Sequence, residues 1–317
     1  MAQSSKSAGG GPLKTVPKGV MHVPVTPFTN DLAVDYGTFE KLVDWHIRQD
    51  PSSLCVILHI AESLNLTVAE HKKLIEMSVQ VTHGRVPLIA NVSMASTDQA
   101  VDLARHAEKA GADAVICLSP YYWPVPEEAL YEHFVKVATA TALPFMIYNS
   151  PIYQGVSLTP KFLVRLMERL PHFIGEKEAS HNFEYFIEAR RATQAVRPEF
   201  GLILGVEYIL PSVSMGGVGS MATGGGVAPR LLQRLYDLCA AGKFFEAAPL
   251  QDKASQLWQL FKPEYPAPIK AAMEIMGRPT GPVRGPMRPL DAAQKAGLRK
   301  SLDALGLLDG SEPTGWG

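Results

Sequence analysis

The sequence has few cysteines, almost no net charge and no long apolar run. Its three cysteines, Cys55, Cys117 and Cys239, are far apart in apolar stretches, which predicts buried free thiols and no disulfide or zinc framework. With 30 basic and 31 acidic side chains, it lacks the basic surface that nucleic acids and anionic membranes attract. No apolar run reaches the 18 residues of a membrane-spanning helix. We therefore expect a cytoplasmic protein that acts on small molecules.

The sequence does contain eight short runs that are apolar, β-branched or bounded by glycine. They lie at residues 19–25, 54–60, 87–92, 114–119, 144–149, 173–178, 201–206 and 217–223. Helical patterns separate most of them, and this alternation predicts a (β/α)8 TIM barrel. The alternative is an open doubly wound sheet. The turn at residues 25–29, however, lacks the glycines with which such a sheet binds a dinucleotide.

Several helix ends carry a sequence signal. Thr67 with Glu70 and Ser96 with Gln99 both fit a capping box, which predicts that a helix begins after each. Gly111 follows an apolar-periodic segment and fits a helix stop.

The segments on either side of the predicted strands suggest the domain organisation. Residues 1–17 are rich in Ser, Gly, Ala and Lys without an apolar core, which predicts a disordered tail and no signal peptide. Residues 18–228 would hold the barrel strands and their helices. Residues 229–310 carry helical patterns beyond the one helix that completes a barrel, so we expect a C-terminal α-helical extension.

The sixth run ends in a lysine. Strand alternation puts Lys177 on one face and Glu176 and Glu178 on the other. A strand flanked by helical patterns is covered on both faces, and packing alone rarely places a lysine there. Burial favours the neutral amine, which can attack a ketone to form a Schiff base. The alternative is a structural lysine paired with a carboxylate.

The active site of such a barrel lies at the C-terminal ends of its strands. Tyr148 lies near the end of strand five, and its phenol could transfer the protons that imine formation at Lys177 requires. Glu62 after strand two is either catalytic or a residue that holds the following loop in place. The aromatic residues 121–123 are site residues, core residues or residues of a subunit contact. Other side chains expected at this end are His59, Asn149, Gly205 and Glu207.

The glycine-rich residues 216–226 allow two interpretations. Loops after strands seven and eight of such barrels often bind phosphate. The run contains no lysine or arginine, however, so small residues that let the last strand close the barrel are the favoured interpretation.

Five short motifs carry a family resemblance. They are VTPF at residues 25–28, SPYY at 119–122, YNSP at 148–151, GEKEAS at 175–180 and PAPIK at 266–270. On these motifs the chain resembles, over residues 18–308, the class I aldolase superfamily of dihydrodipicolinate synthase and N-acetylneuraminate lyase. The resemblance implies Lys177 as the Schiff-base lysine, Tyr148 as the proton shuttle and no metal or organic cofactor. It also implies that Tyr122 enters a neighbouring subunit's site in a homodimer or homotetramer.

The loop after strand two departs from the family. The family pattern is Gly, two Ser or Thr, then Gly-Glu, whereas residues 58–62 read LHIAE. The missing hydroxyls usually hold the carboxylate of a 2-oxo acid and relay a proton, so His59 and Ile60 stand at substrate-binding positions. His59 could take over the relay, contact a carboxyl group or fill the barrel mouth.

The loop after strand five departs as well. Tyr153 stands where true dihydrodipicolinate synthases hold their second substrate with an arginine, so a carboxylated aldehyde loses its bidentate partner. Together with residues 121–123, Tyr153 makes the acceptor side aromatic, and backbone near Gly205 and Met221 would contact the donor. The hypothesis is an aldolase or hydratase-aldolase acting on a 2-oxo acid such as pyruvate. A sugar-acid aldolase or dehydratase and a non-catalytic keto-acid-binding barrel are the alternatives.

Overall fold

The computed structural model describes residues 13–317, which form a closed barrel of eight parallel strands in sequence order. The strands are β1 (Gly19–His22), β2 (Ser53–Val56), β3 (Leu88–Asn91), β4 (Ala114–Leu118), β5 (Phe145–Asn149), β6 (Phe173–Glu178), β7 (Gly201–Gly205) and β8 (Gly219–Ala222). β8 pairs with β1 and closes the barrel. The predicted TIM barrel is confirmed, and each predicted run overlaps one strand.

Helices alternate with the strands and continue beyond them. They are α1 (Tyr36–Arg48), α2 (Val68–Thr82), α3 (Thr97–Ala110), α4 (Glu127–Thr139), α5 (Pro151–Gln154), α6 (Pro160–Arg169), α7 (Phe183–Val196), α8 (Ile209–Ser214), α9 (Pro229–Ala240), α10 (Phe244–Phe261), α11 (Ala267–Ile275) and α12 (Ala292–Ala304). None of the helices within residues 13–317 is long and apolar enough to cross a membrane.

The predicted helix ends hold in two of three cases. α2 begins with the complete Thr67–Glu70 capping box, and Gly111 ends α3 with φ of 96°. Ser96 does precede α3, but its side chain makes no capping hydrogen bond, so the second capping box was wrong. Ser96 is exposed, and water can satisfy the first amides of the helix instead.

Strand β2 ends before the apolar run that predicts it. Ile57 has φ of 62°, a conformation that a β-branched residue cannot adopt within a strand. Residues His59–Ala61 then form a single 3-10 turn, and Glu62 has φ of 55°. The apolar run at residues 54–60 therefore extends past the strand, which ends at Val56, and residues 58–62 lie in the loop after it, as expected. The two left-handed residues turn the chain so that His59 stands at the barrel mouth.

Glycines in the last strand allow the barrel to close. A Cβ atom on Gly219 would lie 1.9 Å from the carbonyl oxygen of Gly19 on β1, so a side chain there would separate the two strands. Further along the same run, the N–H of Gly224 donates to the Glu207 carboxylate at 2.5 Å. An amide N–H that already donates to a carboxylate is not free to bind phosphate, and the neighbouring negative charge would repel it. These contacts support the packing interpretation of residues 216–226.

The predicted N-terminal tail is ordered over its last five residues. Residues 1–12 lie outside the described part of the chain. Val16 is 2% exposed and fills the space that Gly175 and Gly201 leave at the base of β6 and β7. Leu13 donates its N–H to the carbonyl of Asp113. Disorder over residues 13–17 was therefore a wrong prediction, because an apolar side chain here finds a matching cavity.

The end of the chain packs back onto the barrel. The Glu312 carboxylate accepts hydrogen bonds from the N–H groups of Arg230 and Leu231, at 3.0 and 2.8 Å, and so caps the start of α9. The guanidinium of Arg278, which is fully buried, donates to the carbonyls of Gly226 and Pro313 at 3.0 and 2.7 Å. Buried hydrogen bonds thus join the end of the chain and Arg278 to the segment that follows the last strand.

Candidate active site

Lys177 and Tyr148 meet inside the barrel mouth. The register of β5 and β6 places the two residues side by side. The Lys177 side chain is nearly buried, and its Nζ lies 3.6 Å from the centroid of the Tyr148 ring. This is a cation–π contact, which packs the head of the lysine side chain against the phenol ring at the C-terminal ends of the two strands.

Gly205 leaves the space that the lysine stem occupies. A Cβ atom at this position, at the end of β7, would lie 3.1 Å from Cε of Lys177. Met221 on β8 pairs with Gly205 and is fully buried. The two residues predicted to contact the donor therefore lie side by side on neighbouring strands, and Gly205 adjoins the Lys177 side chain.

His59 joins the pair from the turn after β2. Its Nδ1 lies 3.4 Å from the Tyr148 hydroxyl oxygen, and its ring meets the Tyr153 ring edge-on at 5.2 Å. Burial, and to a smaller extent the positive charge of Lys177, lowers the pKa of His59 to about 4. The imidazole is therefore neutral at neutral pH.

A pocket opens beside the His59–Tyr148 contact. It is lined by Leu58, His59, Ser63, Leu64, Asn91, Ser93, Leu118, Tyr121 and Tyr148. Asn91 donates to the carbonyl of Ile57 at 2.6 Å and accepts from the Ser93 hydroxyl at 2.5 Å. These bonds fix the pocket wall to the backbone that carries the strand-two turn.

The structure does not bring every predicted side chain into the cavity. The Ile60 side chain is buried in the core, so only its backbone can meet a ligand. Tyr122 is 82% exposed with φ of 82°, and its ring packs against Trp123 at the rim. Tyr153 is 62% exposed and covers His59 from outside. Tyr122 therefore remains a predicted site residue whose place depends on a second subunit.

Glu62 ties the strand-two turn to the helical extension. One carboxylate oxygen lies 2.7 Å from Nζ of Lys270 on α11, and both side chains are almost fully buried. The other oxygen accepts from the backbone N–H of Arg284 at 2.8 Å. Burial lowers the pKa of Lys270 to about 8, while the charge of Glu62 opposes that shift. The structural interpretation of Glu62 is supported over a catalytic one.

The outer face of β6 carries two buried carboxyl groups. Glu176 and Glu178 are fully buried on the side opposite Lys177, as alternation predicted, and the Tyr185 hydroxyl donates to Glu176 at 2.7 Å. Burial raises the pKa of Glu176 to about 8; the hydrogen bond from Tyr185 opposes this shift, and the charge of Glu178 contributes to it. Glu176 therefore holds its proton at neutral pH.

This proton makes the stability of the fold depend on pH. Between the ordinary carboxyl pKa and about 8 the native state binds one more proton at Glu176 than the unfolded state, so the free energy of unfolding falls as pH rises. In Glu176→Gln this component should vanish, and the variant should gain on the order of a few kcal/mol relative to wild type between pH 5.5 and 8.5. Urea unfolding at both pH values measures it. The exposed Glu128→Gln is the control, and parallel pH curves for Glu176→Gln and wild type would contradict the prediction.

Two residues near the site escaped sequence reasoning. Tyr265, between α10 and α11, is close enough to Tyr148, Tyr153 and Glu207 that their charges, after burial, raise the pKa of its hydroxyl well above the usual range. Lys270 pairs with Glu62 from the same region. Tyr265 immediately precedes the PAPIK motif that contains Lys270, so the motif was the available signal for both.

The chain is similar to known proteins over nearly its whole length. The sequence model of the dihydrodipicolinate synthetase family matches residues 16–305. A 4-hydroxy-tetrahydrodipicolinate synthase of Gluconacetobacter diazotrophicus is 33% identical, over 93% of this chain and 99% of its own. A prophage protein of E. coli K12 from the dihydrodipicolinic acid synthase family, solved in complex with pyruvate, is 28% identical with a TM-score of 0.88, over 92% of this chain and 99% of its own. The enzyme from Cyanidioschyzon merolae with lysine bound is 30% identical with a TM-score of 0.88, over 93% and 100%.

Proposed function

Because this chain belongs to the dihydrodipicolinate synthetase family, a family of class I aldolase-type lyases, we propose that it forms a Schiff base between Lys177 and a 2-oxo acid such as pyruvate. The observation that carries the proposal is the Lys177 amine held against the Tyr148 ring at 3.6 Å in a nearly buried cavity. The reaction is then an aldol cleavage or condensation, or a hydration coupled to it.

The chemistry follows from an amine and a phenol in contact. Lys177 attacks the ketone, and loss of water gives an iminium ion that withdraws electrons from the neighbouring carbon. Cleavage or deprotonation at that carbon leaves an enamine, and Tyr148 carries protons between nitrogen, oxygen and carbon. Activity should survive EDTA, and dependence on a divalent metal would contradict this mechanism.

The donor carboxylate would be held by backbone groups of the strand-two turn. The N–H groups of Ala61 and Glu62 are used within the turn, at the carbonyls of Leu58 and His59. The N–H groups of His59 and Ile60 precede these bonds and are available for an anion. Gly205 and Met221 would enclose the other side of the donor.

The acceptor is proposed to be an aryl or alkyl aldehyde. Tyr153 takes the position at which the related synthases use a cation, and it lies against His59 rather than against a charge. Tyr122 and Trp123 add exposed aromatic surface at the rim. A carboxylated aldehyde would meet no bidentate cation there, whereas an aromatic ring gains apolar and stacking contacts.

Tyr122 is proposed to act from a second copy of the chain. Its ring is exposed, and its backbone conformation is costly for a tyrosine, which an assembly contact would compensate. A homodimer or homotetramer is the expected form.

Borohydride trapping tests the function directly. Incubation with pyruvate and sodium borohydride should add the mass of a reduced pyruvyl group to the peptide that contains Lys177, and aromatic 2-oxo acids extend the panel. Lys270, which is also buried, should remain unmodified because its amine is paired with Glu62. A modified Lys270, or no adduct with any ketone of the panel, would refute the proposal.

A further inference from the structure

We propose that His59 is the proton relay that links Tyr148 to the water of the adjoining pocket, which makes it a further catalytic residue of the Schiff-base reaction proposed above. The inference rests on that proposed function. It is an alternative to a role in which a charged His59 imidazolium contacts a carboxyl group of the substrate.

The proton balance of imine formation requires such a relay. A neutral amine, a ketone and one external proton give an iminium ion and one water molecule, because the departing oxygen takes one proton from nitrogen and a second from elsewhere. Tyr148 can pass the first proton from Nζ to oxygen. The second must reach a phenol that is itself only 6% exposed.

The position of His59 provides the path. Its Nδ1 lies 3.4 Å from the Tyr148 hydroxyl, a long hydrogen bond of the kind that shortens when substrate arrives. Its ring lines the pocket with Ser63, Ser93 and Asn91. Nε2 makes no hydrogen bond to any other residue between 13 and 317, which leaves it for water in that pocket.

The relay can be written with every proton assigned. Tyr148 protonates the departing hydroxyl, Nδ1–H of His59 returns a proton to the phenolate, and Nε2 takes one from the pocket water. A proton from bulk solvent restores that water, so no hydroxide remains and the external proton of the balance is consumed. The imidazole changes tautomer without becoming charged. Hydrolysis of the iminium at the end of the cycle releases one proton, which travels in the opposite direction and restores the first tautomer.

The electrostatics of the site favour this role over the others. The titratable groups around the ring are Tyr121, Tyr148, Tyr153 and Lys177, and none of them is a carboxylate that could hold an imidazolium. Burial and the charge of Lys177 lower the pKa of His59 to about 4. A neutral ring cannot pair with a substrate carboxylate, but it can accept one proton while donating another.

His59→Asn separates the relay from packing, because the amide can keep a hydrogen bond at the Nδ1 position but cannot pass a proton. Exchange of the pyruvate methyl protons in D2O, followed by NMR, and the single-turnover rate of borohydride trapping should both fall about 10²-fold or more. The pyruvate concentration that saturates trapping should stay within about threefold of the wild-type value. The urea unfolding midpoint should not change.

A second variant guards against misfolding as an explanation. Imidazole added to His59→Ala should restore part of the exchange rate, because the vacated site opens to the pocket. Exchange in His59→Asn within threefold of wild type, or a loss confined to pyruvate affinity, would overturn the relay. Absence of any pyruvate adduct in the wild-type protein would instead refute the Schiff-base function, so the two failures are distinguishable.

Discussion

Lys177→Met should lower the turnover of any substrate on the order of 10⁴-fold or more and abolish the borohydride-trapped adduct. Methionine keeps the length and the apolar stem of the side chain beside Gly205, but it has no nucleophile. Removing a nearly buried amine also removes a desolvated polar group, so the variant should unfold at a urea concentration at least equal to that of wild type. The measurements are steady-state kinetics, intact mass and urea unfolding on the same preparation.

The same substitution at an exposed lysine is the matched control for Lys177→Met. Lys161→Met alters an exposed lysine on α6 and should change neither the adduct nor turnover. If Lys177→Met retained more than about one hundredth of wild-type turnover, the iminium could not be the electron sink of the reaction.

Lys270→Met should lower the free energy of unfolding by about 3–5 kcal/mol. The substitution leaves the Glu62 carboxylate buried with no ammonium at 2.7 Å, and it also removes a hydrogen bond to the carbonyl of Pro282. Because Glu62 ends the turn that holds His59, donor binding should weaken together with stability. Urea unfolding and the pyruvate concentration that half-saturates trapping measure the two effects.

Two further variants separate a buried charge from a lost contact. Lys295→Met breaks an ion pair of similar length with Glu274, but that pair is exposed and should contribute no more than about 1 kcal/mol. The double variant Glu62→Gln/Lys270→Met removes both charges and should recover part of the loss. Equal losses in the two lysine variants, or no recovery in the double variant, would contradict this account of the ion pair.

The parts of this protein that the sequence predicts are those determined by local periodicity. A strand such as β6 is predicted by its short apolar run. Its two-residue alternation places Lys177 on the face opposite Glu176, which the structure confirms. The barrel follows from eight repeats of that signal. The same local reasoning located Tyr148 and His59 at the barrel mouth, and the structure brings them within hydrogen-bonding distance, although their roles stay predictions.

The parts that escaped prediction depend on partners distant in sequence. Nothing near Glu62 indicates that its charge is neutralised by Lys270, and nothing near Val16 indicates that two glycines on β6 and β7 leave room for it. Backbone conformation was a second feature that escaped prediction. The left-handed φ of Ile57 ends β2 within the apolar run, and no β-branched residue signals that conformation by its identity.

The Glu62–Lys270 contact also sets an order of events during synthesis. Glu62 is synthesised soon after the second strand, whereas Lys270 is synthesised only after all eight strands. Until then the carboxylate has no counter-charge, and burying it is unfavourable. The buried ion pair therefore cannot form until α11 has been synthesised, so the turn that carries His59 gains this contact only once the helical extension is present.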